Sequence, residues 1–207
     1  MSNETLSRRG FVGTMGAFVL AMGAGLVGCE SRGRSAASST ISDSNGRPGS
    51  KTLIVLWSWS GKTAQMAERI SELSGAEIYR IEAADPYPGI DNYEECTDRA
   101  KREQDDGVYP KIANPIANWD DYGTIFLGYP IWWYQLPMIV QGFVRDHDWK
   151  GRTVVPFNSH LESGDGGTHA DLREMTGTTV LDGIAISGDD IPASLERIDE
   201  WYAGLGL

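Results

Sequence analysis

Cysteine and histidine are scarce in this chain of 207 residues, which contains two cysteines and three histidines. Two cysteines cannot build a disulfide framework, and the sequence has no Cys-x-x-Cys pair and no cluster of cysteine with histidine. His147, His160 and His169 lack the spacing of metal ligands, so we expect them at the surface or in loops. The sequence therefore predicts no metal site and no structural disulfide at Cys96.

Basic residues are also few, with 18 Lys and Arg against 29 Asp and Glu, which gives a net charge of -11. An acidic surface repels the phosphate backbone, so we expect no binding to nucleic acid. The same surface would attract a basic redox partner. A merely solvated and soluble surface explains the charge equally well.

Long hydrophobic runs are absent apart from one uncharged stretch, from Phe11 to Val27, at the short limit for a membrane-spanning helix. Arg8 and Arg9 precede this stretch, and it ends in Leu26-Val27-Gly28-Cys29. The arginine pair resembles a twin-arginine export signal, and the tetrapeptide resembles the lipobox of bacterial lipoproteins. This resemblance implies an extracytoplasmic protein with a lipid on Cys29 that anchors it to the membrane. A plain anchor helix with an incidental cysteine is the alternative.

Three segments follow from this signal. Residues 1–28 are the predicted twin-arginine lipoprotein signal peptide. Residues 29–50 are rich in Ser, Gly and Arg and have too few large apolar residues to offset the entropy of ordering, so we expect a flexible tether. Residues 51–207 are the predicted folded domain. Because the signal carries Glu4, Arg8 and Arg9, its removal would leave a net charge of -12.

Short apolar runs alternate with helical patterns through the folded domain. This alternation predicts an α/β fold whose parallel strands are joined by right-handed crossovers. Five strands suit an open sheet in the order 2-1-3-4-5, with ligands bound where the carboxyl ends of the first and third strands part. The predicted strands are 53–57, 76–81, 124–128, 153–157 and 180–186. The predicted helices are 63–74, 93–106, 135–144, 169–175 and a last amphipathic helix at about 195–202, with Pro192 in its first turn.

The loop after the first strand combines hydroxyl groups with the start of a helix. The N–H groups and dipole of a helix N-terminus favour phosphate, and hydroxyls can add donors. A nucleoside triphosphate P-loop is excluded because Leu56 stands where that motif requires glycine. A simple capped helix start is the alternative. The residues of this loop are Ser58, Trp59, Ser60, Gly61, Lys62 and Thr63.

This loop resembles the (Ser/Thr)-x-(Ser/Thr)-Gly-x-Thr phosphate signature of flavodoxins. The loop after the third strand resembles a flavodoxin-like subgroup with Gly-Tyr-Pro-Ile-Trp-Trp, and the likeness extends over residues 52–205. It implies a flavodoxin-like three-layer sandwich that holds FMN, with its phosphate in the first loop and its ring along the second. The predicted ring contacts in the second loop are Pro130, Ile131, Trp132, Trp133 and Tyr134, of which we expect either Trp132 or Trp133 to stack, with Trp59 a candidate for the other face.

The loop after the fourth strand departs from the family, whose members often have Thr-Ser-Gly-Gly there. Here Asn158, Ser159 and His160 precede glycines that come later in the chain. We expect these residues to contact the edge of the flavin. His160 either donates a proton near the flavin or has no role.

Three functions remain open at this stage. The first is an electron-transfer protein that serves a redox partner protein. The second is an FMN-dependent reductase of quinones or similar small acceptors. The third is a binding module that kept the fold and lost FMN, against which the intact hydroxyl loop argues. No pair of nucleophile and base is visible, so the cofactor would supply the chemistry.

Overall fold

The computed structural model describes residues 48–207. The predicted signal peptide, Cys29 and all but the end of the predicted tether lie outside the described residues. The end of the predicted tether contacts the domain, because the amide of Gly49 donates a hydrogen bond to the carbonyl oxygen of Asp120 at 2.6 Å. Within residues 48–207, no helix has the length and apolar character needed to span a membrane.

The strands of the described domain are β1 Lys51–Leu56, β2 Glu77–Arg80, β3 Tyr122–Pro130, β4 Thr153–His160, β5 Thr179–Val180 and β6 Ile184–Ser187. They form a parallel sheet in the order β2-β1-β3-β4-β5, with β6 also paired to β4. The predicted strand order is therefore confirmed. Each of the inner strands β1, β3 and β4 contains an apolar run, as is typical of strands that helices cover on both faces.

Within residues 48–207, five helices complete the three layers. They are α1 Lys62–Ser74, α2 Tyr93–Asp105, α3 Met138–Asp146, α4 Thr168–Thr176 and α5 Leu195–Gly204, with short 3-10 helices at Trp119–Asp121 and Ile191–Ala193. Helices α1 and α5 enclose one apolar core with Ile54, Phe126 and Ile198, whereas α3 and α4 enclose the other with Leu127 and Leu172. Helix α2 packs beside α3.

The predicted fifth strand, 180–186, is two strands. Val180 pairs with Val154 and Ile184 pairs with Phe157, so the chain opposite β4 carries one extra residue between these pairs. Pro156 lies in this stretch of β4 and has no N–H to donate to the ladder. The chain bulges past it at Gly183, where a Cβ would lie 2.5 Å from the Pro156 carbonyl oxygen.

Other boundaries also differ from the sequence prediction. The helix predicted at 135–144 begins only at Met138, because Gln135 pairs with Trp132 across a turn. Strands β3 and β4 run past their apolar residues to Pro130 and His160, so Asn158, Ser159 and His160 lie in a strand. Pro192 lies in the short 3-10 helix before α5, and α5 begins only at Leu195.

Candidate functional site

The carboxyl ends of the inner strands bring three segments together at one edge of the sheet. Leu56 pairs with Gly128, and Gly128 pairs with Phe157, so the residues that follow each strand are neighbours. We call these segments the hydroxyl loop (residues 58–63), the aromatic hairpin (residues 132–135) and the glycine loop (residues 161–167). This edge is where an open α/β sheet binds its ligands.

The hydroxyl loop ends in a turn that opens the start of α1. Gly61 precedes the helix with φ +81°, a conformation that favours glycine, and the space beside it is open. The first turn of α1 contains no acidic residue, and no side chain caps it. The hydroxyl oxygen of Ser58 is buried and has no hydrogen-bond partner among the described residues. A buried donor of this kind, in the loop that leads into the uncapped start of a helix, fits an anionic ligand.

Thr63 and Ser159 join the hydroxyl loop to β4. Their hydroxyl oxygens lie 2.8 Å apart, and both side chains are buried. The predicted contact residue Ser159 thus lies beneath the start of α1. Lys62 is half-buried, and its side chain packs near Gly188, where a Cβ would lie 3.7 Å from the Lys62 Cγ.

The aromatic hairpin is a two-residue turn between Trp132 and Gln135. Each of these residues donates its amide to the carbonyl oxygen of the other, at 3.1 Å. Trp133 and Tyr134 occupy the turn with φ +48° and +63°, a region that costs non-glycine residues about 1–2 kcal/mol each. The side chain of Trp133 is 47% exposed and that of Tyr134 is 76% exposed. Two strained and exposed aromatic residues are unusual in such a turn, which normally contains Asn and Gly.

Trp132 points inward, into a group of aromatic side chains. Its ring meets that of Trp57 edge-on at 4.5 Å and that of Tyr87 at 5.5 Å. The ring of Trp59 lies 6.3 Å away, and its Nε1 donates to the carbonyl oxygen of Pro88 at 2.6 Å. Trp132 therefore offers the inner aromatic surface of the site, whereas Trp133 faces outward and donates its Nε1 to the carbonyl oxygen of Thr97.

The other predicted residues are placed as follows. Pro130 and Ile131 lead from β3 into the hairpin, and the Ile131 amide donates to the carbonyl oxygen of Ser159 at 2.8 Å. The side chain of Asn158 is engaged beneath the glycine loop, where its Nδ2 donates to the Gly164 carbonyl oxygen at 3.1 Å. The Nδ1 atom of His160 is buried and has no hydrogen-bond partner among the described residues. His160 thus presents a second unpaired polar atom at this edge.

Residues 51–203 of the chain match the sequence model of the flavodoxin family. The chain belongs to the flavodoxin family. Its predicted flavodoxin-like fold is confirmed by solved structures as well as by the sheet order.

Two solved relatives are candidate flavoproteins from Bacteroides. The one from Bacteroides eggerthii is 31% identical over 73% of this chain and 99% of its own, with a TM-score of 0.60. The one from Bacteroides uniformis is 28% identical over 75% of this chain and 99% of its own, with a TM-score of 0.66. A flavoprotein from Lactobacillus acidophilus, solved in complex with FMN, is 22% identical over 73% of this chain and 99% of its own, with a TM-score of 0.57. At that identity the likeness shows the fold. No curated protein matches the sequence.

Sequence reasoning missed a buried charged group beneath the aromatic residues of this flavodoxin domain. The hydroxyl of Tyr87 donates to Glu103 Oε2 at 2.6 Å, and Arg99 Nε donates to Glu103 Oε1 at 2.7 Å. The Arg99 guanidinium also lies 4.0 Å from the centre of the Tyr87 ring. Burial raises the pKa of Tyr87 far above its ordinary value, and the bond to Glu103 raises it further. The signal available in the sequence was the spacing of Arg99 and Glu103, four residues apart on one helix face.

His169 was expected at the surface or in a loop, and this prediction is wrong. It lies in α4 with a side chain that is 13% exposed. Cys96 is a buried free thiol, and burial raises its pKa to about 11. No cluster of His, Cys, Asp and Glu in residues 48–207 could hold a metal ion.

Proposed function

We propose that this domain binds FMN non-covalently at the carboxyl edge of its sheet and transfers electrons with it. The observation that carries the proposal is the buried Ser58 hydroxyl, which has no hydrogen-bond partner within residues 48–207 and lies in the loop that leads into the uncapped start of α1. Membership of the flavodoxin family and the FMN complex of the Lactobacillus acidophilus relative support it. When bound, FMN supplies one- and two-electron chemistry, and the protein supplies binding and electrostatics.

The hydroxyl loop would hold the phosphate. The hydroxyls of Ser58 and Ser60, the amides that open α1 and the charge of Lys62 all suit a dianion, and no carboxylate in the first turn opposes it. Thr63 is buried against Ser159 and would hold this loop on β4 as it approaches the ligand. These residues therefore fit a phosphate monoester.

The aromatic hairpin and the glycine loop would hold the ring. An isoalloxazine is flat and mostly apolar, with polar atoms along its edges. Trp132 offers an inner aromatic wall, Trp59 offers a second, and Ile131 adds an apolar contact between them and the glycine loop. His160 Nδ1 is a candidate partner for a polar atom of the ring edge.

The surface beside this site suits a basic redox partner protein. Tyr93 and Trp133 are exposed apolar side chains at the start of α2 and in the hairpin. The ring of Tyr93 lies 5.9 Å from that of Trp59, close to the proposed ring site. The surrounding acidic residues are exposed and would attract a basic surface: Asp91, Glu94, Glu95 and Asp98.

The second candidate function is an FMN-dependent reductase of quinones or similar small acceptors. It is favoured by the open hairpin, where Tyr134 is the most exposed large hydrophobic side chain of the described domain. A small flat acceptor could lie against that ring. A lipid on Cys29 would place either function at the extracytoplasmic membrane surface, where lipid quinones are also found. A protein of this fold without FMN is the third alternative.

One set of experiments separates these functions. The protein lacking residues 1–28 should be yellow when purified and should release FMN on denaturation. Stopped-flow reduction by NADH, NADPH and a reduced protein donor should be followed by a screen of protein and quinone acceptors. Rapid exchange with proteins alone supports the carrier, and turnover of quinone supports the reductase. A colourless protein that fails to bind added FMN would refute the flavin proposal.

The anchor has its own test, because it concerns residues outside the domain. Cells producing the full chain should hold it in the membrane fraction, and Cys29→Ala should release it. Cys96→Ala is the matched control, since Cys96 is buried in α2 and should not affect localisation. Unchanged membrane association of the Cys29→Ala variant would contradict the lipid anchor.

A further inference from the structure

The glycine loop and the aromatic hairpin form one continuous side of the candidate site. The backbone of Gly166 approaches the hairpin so closely that a Cβ there would lie 3.2 Å from the Tyr134 carbonyl oxygen. The same Cβ would lie 3.6 Å from the Cγ2 atom of Ile131. A displacement of the glycine loop would therefore be transmitted to the hairpin that carries the proposed ring contacts.

Two side chains hold the glycine loop from beneath. Asn158, which is fully buried, donates its Nδ2 to the carbonyl oxygen of Gly164 at 3.1 Å. Thr168, also fully buried, donates its hydroxyl to the carbonyl oxygen of Asp165 at 2.6 Å. The Asn158 amide can hold the loop only while its nitrogen, and not its oxygen, faces Gly164.

His169 determines which way that amide faces. Its Nε2 lies 3.0 Å from Asn158 Oδ1, so a proton on Nε2 gives this buried oxygen its donor. The ring packs closely against the backbone of Gly183, where a Cβ would lie 2.4 Å from the His169 Cε1, so only glycine leaves room for it. A rotated Asn158 amide would direct its NH₂ group at the imidazole N–H and its oxygen at the Gly164 carbonyl, which are two repulsive contacts.

The charged groups around His169 come from three elements. Asp165 of the glycine loop places Oδ2 3.8 Å from Nδ1. Asp182, between β5 and β6, is exposed and pairs with Arg173 at 3.7 Å. Arg173 lies on the same helix. Burial lowers the pKa of His169 below its ordinary value, and Asp165 opposes this shift in part. The neutral imidazole, with its proton on Nε2, is the form that fits the contacts at neutral pH.

We propose that His169 is a positioning residue of the flavin site, which acts through Asn158 to fix the glycine loop against the aromatic hairpin. This role rests on the proposed binding of FMN. His169 lies in α4, and Asn158 lies between it and the glycine loop. Its effect should therefore fall on the ring side of the site and not on the phosphate side.

The test compares His169→Gln with His169→Asn in the full chain. The side-chain nitrogen of Gln can take the place of Nε2, whereas Asn reaches only the position of Nδ1. His169→Asn should raise the amide exchange rate of residues 161–167 about fivefold or more, as the loss of one buried hydrogen bond predicts. It should also lower the affinity for FMN and the affinity for riboflavin to the same extent, by about three- to tenfold. His169→Gln should stay within about twofold of wild type in both measurements.

A second pair of variants keeps the test decisive if His169→Asn is poorly folded. In an Asn158→Ala background, His169→Asn should have no further effect on flavin affinity, because His169 acts through Asn158. Equal behaviour of the Gln and Asn variants, or additive effects in the double variant, would overturn the role of His169. A wild-type chain that binds neither flavin would instead overturn the proposed function, and this role with it.

Discussion

The hydroxyl loop and the aromatic hairpin lie side by side, and both contain residues in the left-handed backbone conformation. They differ in the type of residue that adopts it. In the hydroxyl loop, the left-handed position is occupied by Gly61, which adopts it without strain. In the hairpin, the two left-handed positions are occupied by Trp133 and Tyr134, which adopt it at a cost. A loop that binds with backbone N–H groups needs only the right turn. A loop that presents aromatic surfaces keeps its side chains even where glycine would be more stable, and such retained strain is typical of functional sites.

The largest effect should come from placing a carboxylate in the hydroxyl loop. Ser60→Asp adds negative charge where the dipole of α1 and the loop amides would bind a dianion, so FMN affinity should fall by about a hundredfold or more. Riboflavin has no phosphate, and its affinity should change less than about twofold. Ser60→Asn is the matched control of similar size. Fluorescence titration with both ligands measures the effect, and a parallel loss of riboflavin would count against the assignment.

The next largest effect should come from Trp132→Ala, which removes the inner ring of the aromatic hairpin. Trp132 packs against Trp57, Tyr87 and Trp59, so its removal should lower the free energy of unfolding by about 3 kcal/mol. It should lower the affinity for FMN and for riboflavin to the same extent, because both ligands contain the isoalloxazine ring. Trp133→Ala is the matched control, since that ring faces outward, and it should cost less than about 1 kcal/mol. Urea unfolding and the two titrations would contradict this ranking if Trp133→Ala proved the more damaging change.

Replacing the glycine of the hydroxyl loop and placing a glycine in the hairpin should change the free energy of unfolding in opposite directions. Gly61→Ala puts a Cβ on a residue with φ +81° and should destabilise the fold by about 1 kcal/mol, although the space beside it is open. Tyr134→Gly removes a strained side chain that is mostly exposed and should stabilise it by about 1 kcal/mol. Urea midpoints of the flavin-free variants test both changes. Destabilisation by Tyr134→Gly would show that its ring makes stabilising contacts that outweigh the strain.

The smallest expected effect is a pH dependence from His169 beside the glycine loop. Its pKa in the folded protein lies below the ordinary value of 6.5, so the unfolded chain binds the proton first as the pH falls. Stability from this residue is therefore fully present above pH 6.5 and is lost as the pH falls below that value. His169→Gln should remove this part of the pH dependence. Thermal unfolding between about pH 7.5 and about pH 5, on the two sides of 6.5, tests it. An unchanged slope in the variant would assign the dependence to another group.

The sequence predicted the parts of the fold that are governed by local pattern. The apolar run before Ser58 and the helical spacing after it placed β1 and α1 within a residue or two, and Gly75 ends α1 as expected. The hydroxyl loop was predicted for the same reason, since its hydroxyls and its helix start are adjacent in the chain. Local pattern was therefore enough to locate one side of the candidate site.

The remaining features depend on partners that are distant in the chain. Strand β4 continues to His160 because Asn158 and Ser159 pair with Tyr129 and Pro130, a register that their polar side chains do not reveal. The hairpin turn was missed because aromatic residues normally avoid positive φ. The hydrogen bond of His169 with Asn158 joins a helix to a strand, and it needs the absence of a side chain at Gly183 beside the ring. No spacing in the sequence indicates it.

The Ser58 hydroxyl, buried without a hydrogen-bond partner in the part of the chain that the structure describes, is the group that we assign to a phosphate site. The measurement that tests it most directly is the dissociation constant of FMN and of riboflavin for the wild type, Ser58→Ala and Ser60→Ala. We predict that each variant loses about tenfold or more in FMN affinity and less than about twofold in riboflavin affinity, since a charge-assisted hydrogen bond contributes roughly 1.5–3 kcal/mol. Equal losses of FMN and riboflavin would show that the hydroxyl loop does not hold the phosphate, and would contradict the assignment of the site.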